Sequence, residues 1–249
     1  MPDASVLAVL LAAAFLAGAM NAMAGGGSFL TLPALIFAGV PPVAANATGT
    51  VALLPGYMSS AYGFRHDLEP VDGVGIGWLS AVSLLGGLLG AGLLLLTSDA
   101  AFGAIVPWLL LFATVLFAFG RRISAWLKGR GIHGKGAMLG GLFAVSVYGG
   151  YFNGGLGILL LAHLGLFGLS SLNAANGLKN LLSAVLTTIA VAAYAAGGAV
   201  HWTAALLMMA GTIAGGYAGA RLARRIPANV LRPGIVAVGL VMTVLFFLR

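Results

Sequence analysis

The 249-residue sequence contains no cysteine and little charge. The absence of cysteine excludes disulfide bonds and thiolate metal sites. Only 7% of the residues are charged, whereas a soluble domain carries about 25%. So few charges cannot cover a surface that faces water, and the chain is therefore predicted to lie in a membrane.

Catalytic motifs are also missing. The sequence has no G-x-S-x-G and no H-E-x-x-H, and its five acidic residues fall at the ends of predicted segments or in loops: Asp3, Asp67, Glu69, Asp72 and Asp99. Without a catalytic group or a buried carboxylate, the chain is predicted not to be an enzyme and to hold no metal or cofactor. A cation transporter is disfavoured for the same reason, because hard cations prefer carboxylate oxygens.

Apolar residues dominate what is present, at 61% of the chain, with a mean hydropathy of +1.07. Apolar runs of roughly 20 residues, the length of a membrane-spanning helix, recur from end to end. The sequence predicts an all-α polytopic membrane protein. Its ten predicted segments, of which the second and seventh are too short to span, are 4–23, 29–39, 43–63, 72–96, 101–119, 137–152, 156–168, 172–196, 202–223 and 230–248.

The sequence also repeats internally. The octapeptide at Gly86, GGLLGAGL, resembles GGYAGARL at Gly215, at an offset of 129 residues. Three further glycine pairs match at this offset: Gly25 with Gly154, Gly26 with Gly155, and Gly39 with Gly168. The whole chain, 1–249, is therefore predicted to form one membrane domain of two five-segment repeats, 1–119 and 130–248, joined by a basic linker, 120–136.

Basic residues predict the orientation in the membrane. The net charge of +7 is interpreted as fixing topology, not as binding nucleic acid. Three regions assigned to the cytoplasm hold ten of the twelve lysines and arginines: Arg65, Arg121, Arg122, Lys128, Arg130, Lys135, Arg221, Arg224, Arg225 and Arg232. Both termini of this multi-pass inner (plasma) membrane protein are then outside. Since five is odd, the second repeat begins on the opposite side, and inverted repeats with glycine-interrupted short helices are typical of transporters.

Glycines interrupt the backbone at the start of each short helix, at Gly25–Gly27 and at Gly154–Gly157, and Gly154 and Gly155 of the second break are predicted to bind substrate. Irregular backbone at membrane depth survives only inside protein or beside a watery cavity. Each break creates a helix N-terminus, which attracts anions, and Ser28 and Asn153 are predicted to cap these ends. We expect the two ends to converge on one binding site at the midplane.

Other glycines are interpreted differently. Gly86 and Gly90 in the first repeat, and Gly215 and Gly219 in the second, form small-xxx-small pairs inside long segments. Such pairs typically allow close helix packing. We therefore predict a packing role for these four residues.

Polar residues follow both short helices: Asn46, Thr48 and Thr50 in ANATGT, and Asn176, Lys179 and Asn180 in NAANGLKN. They are predicted to bind substrate, or alternatively to form hydrogen bonds between helices. A lysine at the centre of a membrane helix costs about 2.5–3.5 kcal/mol. Lys179 is therefore predicted to bind an anion, with snorkelling to the cytoplasmic edge as the alternative. For His163, both a packed role and a part in proton coupling stay open.

The motif AGGGSFLTLPALIFAGVPPVAANATGT resembles the N-terminal signature of the TauE/SafE family, and GGYFNGGLG to NAANGLKN resembles its second half. This resemblance covers essentially the whole chain. It implies a membrane transporter for a small sulfur-containing anion, sulfite or an organosulfonate, usually carried outward. Thr31 of the first half has no polar counterpart in the second.

The sequence thus predicts a sulfur-oxyanion exporter whose partners are its anionic substrate and the lipid bilayer. A passive anion channel and an uptake transporter of the same fold are the alternatives. Whether the chain forms a homodimer, and which ion it couples to, stay open.

Overall fold

The computed structural model describes residues 4–23, 25–128, 134–169, 171–223 and 228–248. These residues form an all-helical fold with no strand. Its ten helices are α1 (Ala4–Met23), α2 (Ser28–Phe37), α3 (Pro42–Gly63), α4 (Ile76–Leu96), α5 (Asp99–Lys128), α6 (Lys135–Tyr151), α7 (Leu156–Leu166), α8 (Leu172–Ala196), α9 (Trp202–Ala223) and α10 (Ala228–Phe247).

Among the residues that the structure describes, four stretches are long and apolar enough to cross a bilayer: Ala4–Ala22, Ile76–Leu96, Asp99–Leu116 and Asn173–Ala196. The predicted polytopic all-α membrane protein is confirmed at this level. The helix bounds follow the predicted segments closely, because glycine, proline and charge interrupt the apolar runs where the helices end.

The fifth helix differs most from its prediction. It continues to Lys128, so that the first part of the predicted 120–136 linker is helical. Arginine and lysine are good helix formers, and their charge is favourable at a helix C-terminus. Residues 129–133 of the linker lie outside the described part of the chain.

The two short helices, α2 and α7, end in the same way. Gly39 follows α2 with φ +85°, and Gly168 follows α7 with φ +92°. The residue after each glycine donates its N–H to the carbonyl five positions earlier, at 3.0 Å after α2 and 3.2 Å after α7. This is the Schellman C-cap, which needs a left-handed residue, and it recurs at the 129-residue offset seen in the sequence.

Close packing through glycine joins α1 to α9 and α4 to α6. Gly18 of α1 faces Gly216 of α9, and Ala14, one turn earlier, faces Gly211. Contacts that advance in the same direction along both helices show that α1 and α9 run parallel. The contacts of Gly86 and Gly90 with α6 advance in the same way, so α4 and α6 are parallel too.

The packing role predicted for the glycine pairs is confirmed where the structure describes them. A Cβ on Gly86 would meet Ser146, one on Gly90 would meet the backbone of α6, and one on Gly215 would meet the backbone of Phe15. The surroundings of Gly219 lie outside the described part of the chain.

Replacing Gly86 with alanine is expected to destabilise the protein by about 1–3 kcal/mol, the usual cost of overpacking. The new Cβ would lie 2.6 Å from the Cβ of Ser146. Gly92→Ala on the same helix is the control, since no atom lies within 4 Å of its Cβ position, and it should be neutral or stabilise by up to about 1 kcal/mol. Equal unfolding midpoints of the two purified variants would contradict the packing argument.

Candidate functional site

The two glycine breaks touch each other in the middle of the bundle. Gly25 has φ +83°, and a Cβ built on it would lie 3.2 Å from the Cα of Gly157. A Cβ on Gly157 would in turn lie 3.3 Å from the Cα of Gly25. The structure therefore brings the glycine before α2 into backbone contact with the first turn of α7, 132 positions later in the chain.

We call the contact between Gly25 and Gly157, with the residues next to it, the junction. All residues predicted to bind substrate at the two breaks are buried: Gly25, Gly26, Gly27, Ser28, Asn153, Gly154 and Gly155. Gly27 lies against the main chain of α1 and against Leu53, near the middle of α3. The junction is therefore deep inside the bundle.

The predicted capping roles of Ser28 and Asn153 are wrong. Ser28 is the first residue of α2, and Gly27 is its N-cap. Gly155 is the N-cap of α7 with a left-handed backbone, and no side chain caps either helix. The left-handed conformation favours glycine, and the Asn153 side chain instead accepts a hydrogen bond from Tyr57 on α3.

Lys179 of α8 lies against the junction. Its Cδ atom is 3.4 Å from the Cβ position of Gly157, and the side chain is only 4% exposed. A lysine that snorkelled to the surface would be more exposed. Within the described part of the chain, the ammonium group has no hydrogen bond or ion pair. The side chain of a lysine without a counter-ion therefore packs on Gly157, the residue that Gly25 also contacts.

Lys179 belongs to a polar stripe along α8. At 3.6 residues per turn, Asn176, Lys179, Asn180, Ser183 and Thr187 fall within an arc of about 100°. Ser183 and Thr187 are fully buried, and their hydroxyl groups have no partner. Sequence reasoning missed these two residues, although their spacing of four and eight from Lys179 indicates the same helix face.

A second polar cluster connects the ends of α1 and α6. The Tyr57 hydroxyl donates to Oδ1 of Asn153 at 3.0 Å, and Asn21 lies beside the same hydroxyl. Two buried atoms here have no partner, Oδ1 of Asn21 and Nδ2 of Asn153, and Oγ1 of Thr31 in α2, which faces Gly49, is also unpaired. Buried polar atoms are normally paired, so this concentration of unpaired atoms indicates a ligand or water.

The polar side chains predicted to bind substrate in the first repeat form hydrogen bonds with other residues of the protein. Asn46 donates its side-chain N–H to the carbonyl of Tyr151 at 3.0 Å, and Thr50 donates to the carbonyl of Asn46 at 2.8 Å. Thr48 accepts from the backbone N–H of His201 at 3.0 Å. The bonds of Asn46 and Thr48 hold the end of α6 and the start of α9, and that of Thr50 lies within α3. We therefore leave the three side chains out of the site proposed below.

Two tyrosine hydroxyls donate hydrogen bonds to backbone carbonyls around the second break. Tyr148 donates its hydroxyl hydrogen to the carbonyl of Gly154 at 2.7 Å, and Tyr194 donates to the carbonyl of Gly150. The last carbonyls of a helix have no partner within the helix. These side chains satisfy such groups and fix the path of the irregular backbone.

His163 lies away from the junction. Its Nε2 is 2.9 Å from the carbonyl oxygen of Met138, and its ring packs on Phe167 at 5.0 Å between centroids. This geometry supports the packed interpretation of the residue.

The chemistry of the junction suits an anion. Lys179 is the one charged residue among the buried side chains that the structure describes. Around it are amide and hydroxyl groups but no carboxylate, and no group of metal-ligating side chains occurs among the described residues. A buried cation surrounded by uncharged donors can hold an oxyanion by charge and by hydrogen bonds.

Comparison with known proteins gives matches along nearly the whole chain. The model of the sulfite exporter TauE/SafE family matches residues 10–246. A probable membrane transporter protein of Haemophilus influenzae is 28% identical over 242 residues, covering 96% of this chain and 93% of the relative. The probable membrane transporter protein YfcA of Escherichia coli is 29% identical over 240 residues, covering 96% and 88%. No solved structure matches.

Proposed function

The chain belongs to the TauE/SafE sulfite exporter family, and we propose that it is a secondary transporter that exports a small sulfur-containing anion, sulfite or an organosulfonate. That the protein is a membrane transporter follows from the family. The substrate, the direction and the binding residues are our proposal.

One observation carries this proposal: Lys179 is buried without a counter-ion at the contact between the two glycine breaks. Leaving a buried charge unpaired is costly, and a bound anion removes that cost. We assign the binding groups to Lys179, Asn153, the backbone of Gly25–Gly27 and Gly154–Gly155, and the α8 stripe with Asn176 and Asn180.

We also propose that the site lies between two inverted repeats. Packing partners support this arrangement, because contacts of one half recur in the other: α1 on α9 corresponds to α6 on α4, and α2 on α3 corresponds to α7 on α8. Broken helices at the interface between inverted repeats are the usual binding site of secondary transporters.

The membrane potential supplies a driving force for export. A negative interior drives each negative charge outward by about 2.3 kcal/mol per 100 mV. In the described part of the chain, the acidic residues Asp67, Glu69, Asp72 and Asp99 lie in loops or at a helix end, so none is placed to carry protons at membrane depth. We therefore propose electrogenic export without obligatory proton coupling.

Flux into proteoliposomes tests this function. Labelled sulfite and methanesulfonate should move in a saturable manner, faster when a potassium diffusion potential pulls anions across, and without a pH gradient. Flux that does not saturate would favour the alternative of a passive channel, and accumulation against the potential would favour uptake. If the purified protein moved neither anion above the rate of empty liposomes, the proposal would fail.

The topology gives a further prediction: both termini are outside and the linker is inside. Because the chain has no cysteine, a single cysteine introduced at position 130 or after Arg249 is labelled without background from other thiols in the protein. An impermeant maleimide added to intact cells should label the C-terminal cysteine alone, and Arg130→Cys should react only after permeabilisation. Labelling of both from the same side would overturn the inverted arrangement.

A further inference from the structure

The number of charges at the junction is small. Among the described residues Lys179 is the one buried charged side chain, whereas Arg65, Arg122 and Lys135 are exposed. Every other buried polar group near the breaks is uncharged. A bound anion therefore meets one full positive charge and a set of dipoles.

The uncharged groups are of three kinds. Nδ2 of Asn153 can only donate, and the hydroxyls of Thr31 and Ser183 can donate or accept. Oδ1 of Asn21, which can only accept, is buried without a partner as well. An acceptor among the donors fits the protonated oxygen of hydrogensulfite, whereas a simple organosulfonate, which has no donor, matches the site by its single charge alone.

From this balance we propose that the site selects singly charged oxyanions, hydrogensulfite or an organosulfonate, against the dianions sulfite and sulfate. This inference rests on the proposed function and specifies its substrate. One negative charge neutralises Lys179. A second negative charge would stay uncompensated in a medium of low dielectric, where a buried unpaired charge is strongly unfavourable.

The neighbouring titratable groups are accounted for. The helices packed against α8 are α3, α4, α6 and α7. Their buried or half-buried titratable side chains each have a hydrogen-bond partner, as does Tyr194 on α8 itself: Tyr57, Tyr148, Tyr151 and His163. The remaining ones, Tyr62 and Lys135, are exposed at helix ends, and α4 has none. The loop after α3 also contacts α8, at Gly177, and its charged or titratable side chains are exposed: Arg65, His66, Asp67 and Glu69.

The pH dependence of flux tests the proposal on the unmodified protein. Proteoliposomes receive labelled sulfite at a fixed total concentration below saturation, with equal pH on both sides and a clamped potential. The flux is measured over a series of pH values that spans the second ionisation of sulfite. Methanesulfonate, a monoanion throughout the series, is the control, and protein-free liposomes give the leak. Unlabelled sulfate in excess is added as a competitor.

The ratio of sulfite flux to methanesulfonate flux should fall about tenfold for each pH unit above that ionisation, as hydrogensulfite disappears, and sulfate should fail to compete. Sulfite flux that is independent of pH, or competition by sulfate, would overturn the selectivity and leave the proposed function intact. A parallel fall of both fluxes would assign the pH dependence to the protein and likewise overturn it. Absence of flux for both anions would instead refute the proposed function.

Discussion

Replacing Lys179 with methionine is expected to reduce anion flux by at least about 100-fold, with the protein still folded and inserted. Removing one partner of a buried ion pair costs about 3–5 kcal/mol, and each 1.4 kcal/mol is about tenfold in affinity. Methionine keeps the length of the side chain that packs on Gly157 but removes the charge. Stability should not fall, because the ammonium group has no partner in the described part of the chain.

Two variants control this experiment. Lys179→Arg keeps the charge but changes the shape of the cation, so its flux should be impaired and still measurable. Lys135→Met removes a lysine that is exposed at the start of α6, and its flux should equal that of the wild type. Wild-type flux in a well-folded Lys179→Met protein would eliminate the role of this lysine in binding.

Most of the fold could be read from the sequence because the apolar runs are long and their interruptions are sharp. Residues 172–196 were predicted as one helix, and α8 spans Leu172–Ala196. The end of α5 was missed because the chain past residue 119 is polar, and polarity alone does not separate a water-exposed helix from a loop. The caps were missed because capping depends on backbone dihedrals, and the φ of +75° at Gly155 is not visible in the sequence.

Residues of the candidate site could be predicted from the sequence only where a residue is energetically unfavourable in its surroundings. Lys179 stands out because a charge in an apolar run needs a reason, and the glycine breaks stand out because they interrupt helices. Asn46 looked equally suitable for binding, yet its amide bonds to Tyr151, 105 positions away along the chain. Such a partner is set by the packing of α3 on the end of α6, which sequence position alone does not reveal.

A second large effect is expected from Gly25→Ala, which should reduce flux at least about tenfold. The added Cβ would lie 3.2 Å from the Cα of Gly157, closer than ordinary van der Waals contact. Since the Cβ is fixed directly to the backbone and the Cα belongs to it, neither atom can rotate away, and the two breaks must separate. Lys179 packs on the same Gly157, so the displacement reaches the proposed binding groups, which must be held to about 0.5 Å to function.

Gly39→Ala separates this contact from simple backbone strain. Gly39 has φ +85°, nearly the value of +83° at Gly25, so alanine should cost about 1–2 kcal/mol at either position. No atom lies within 4 Å of the Cβ position of Gly39. Both variants should therefore lose stability in thermal unfolding, Gly25→Ala by more because its Cβ also meets Gly157, whereas only Gly25→Ala should lose flux in proteoliposomes. Equal flux in the two variants would show that contact between the breaks does not matter for transport, and a flux loss in Gly39→Ala alone would place the sensitive segment at the end of α2.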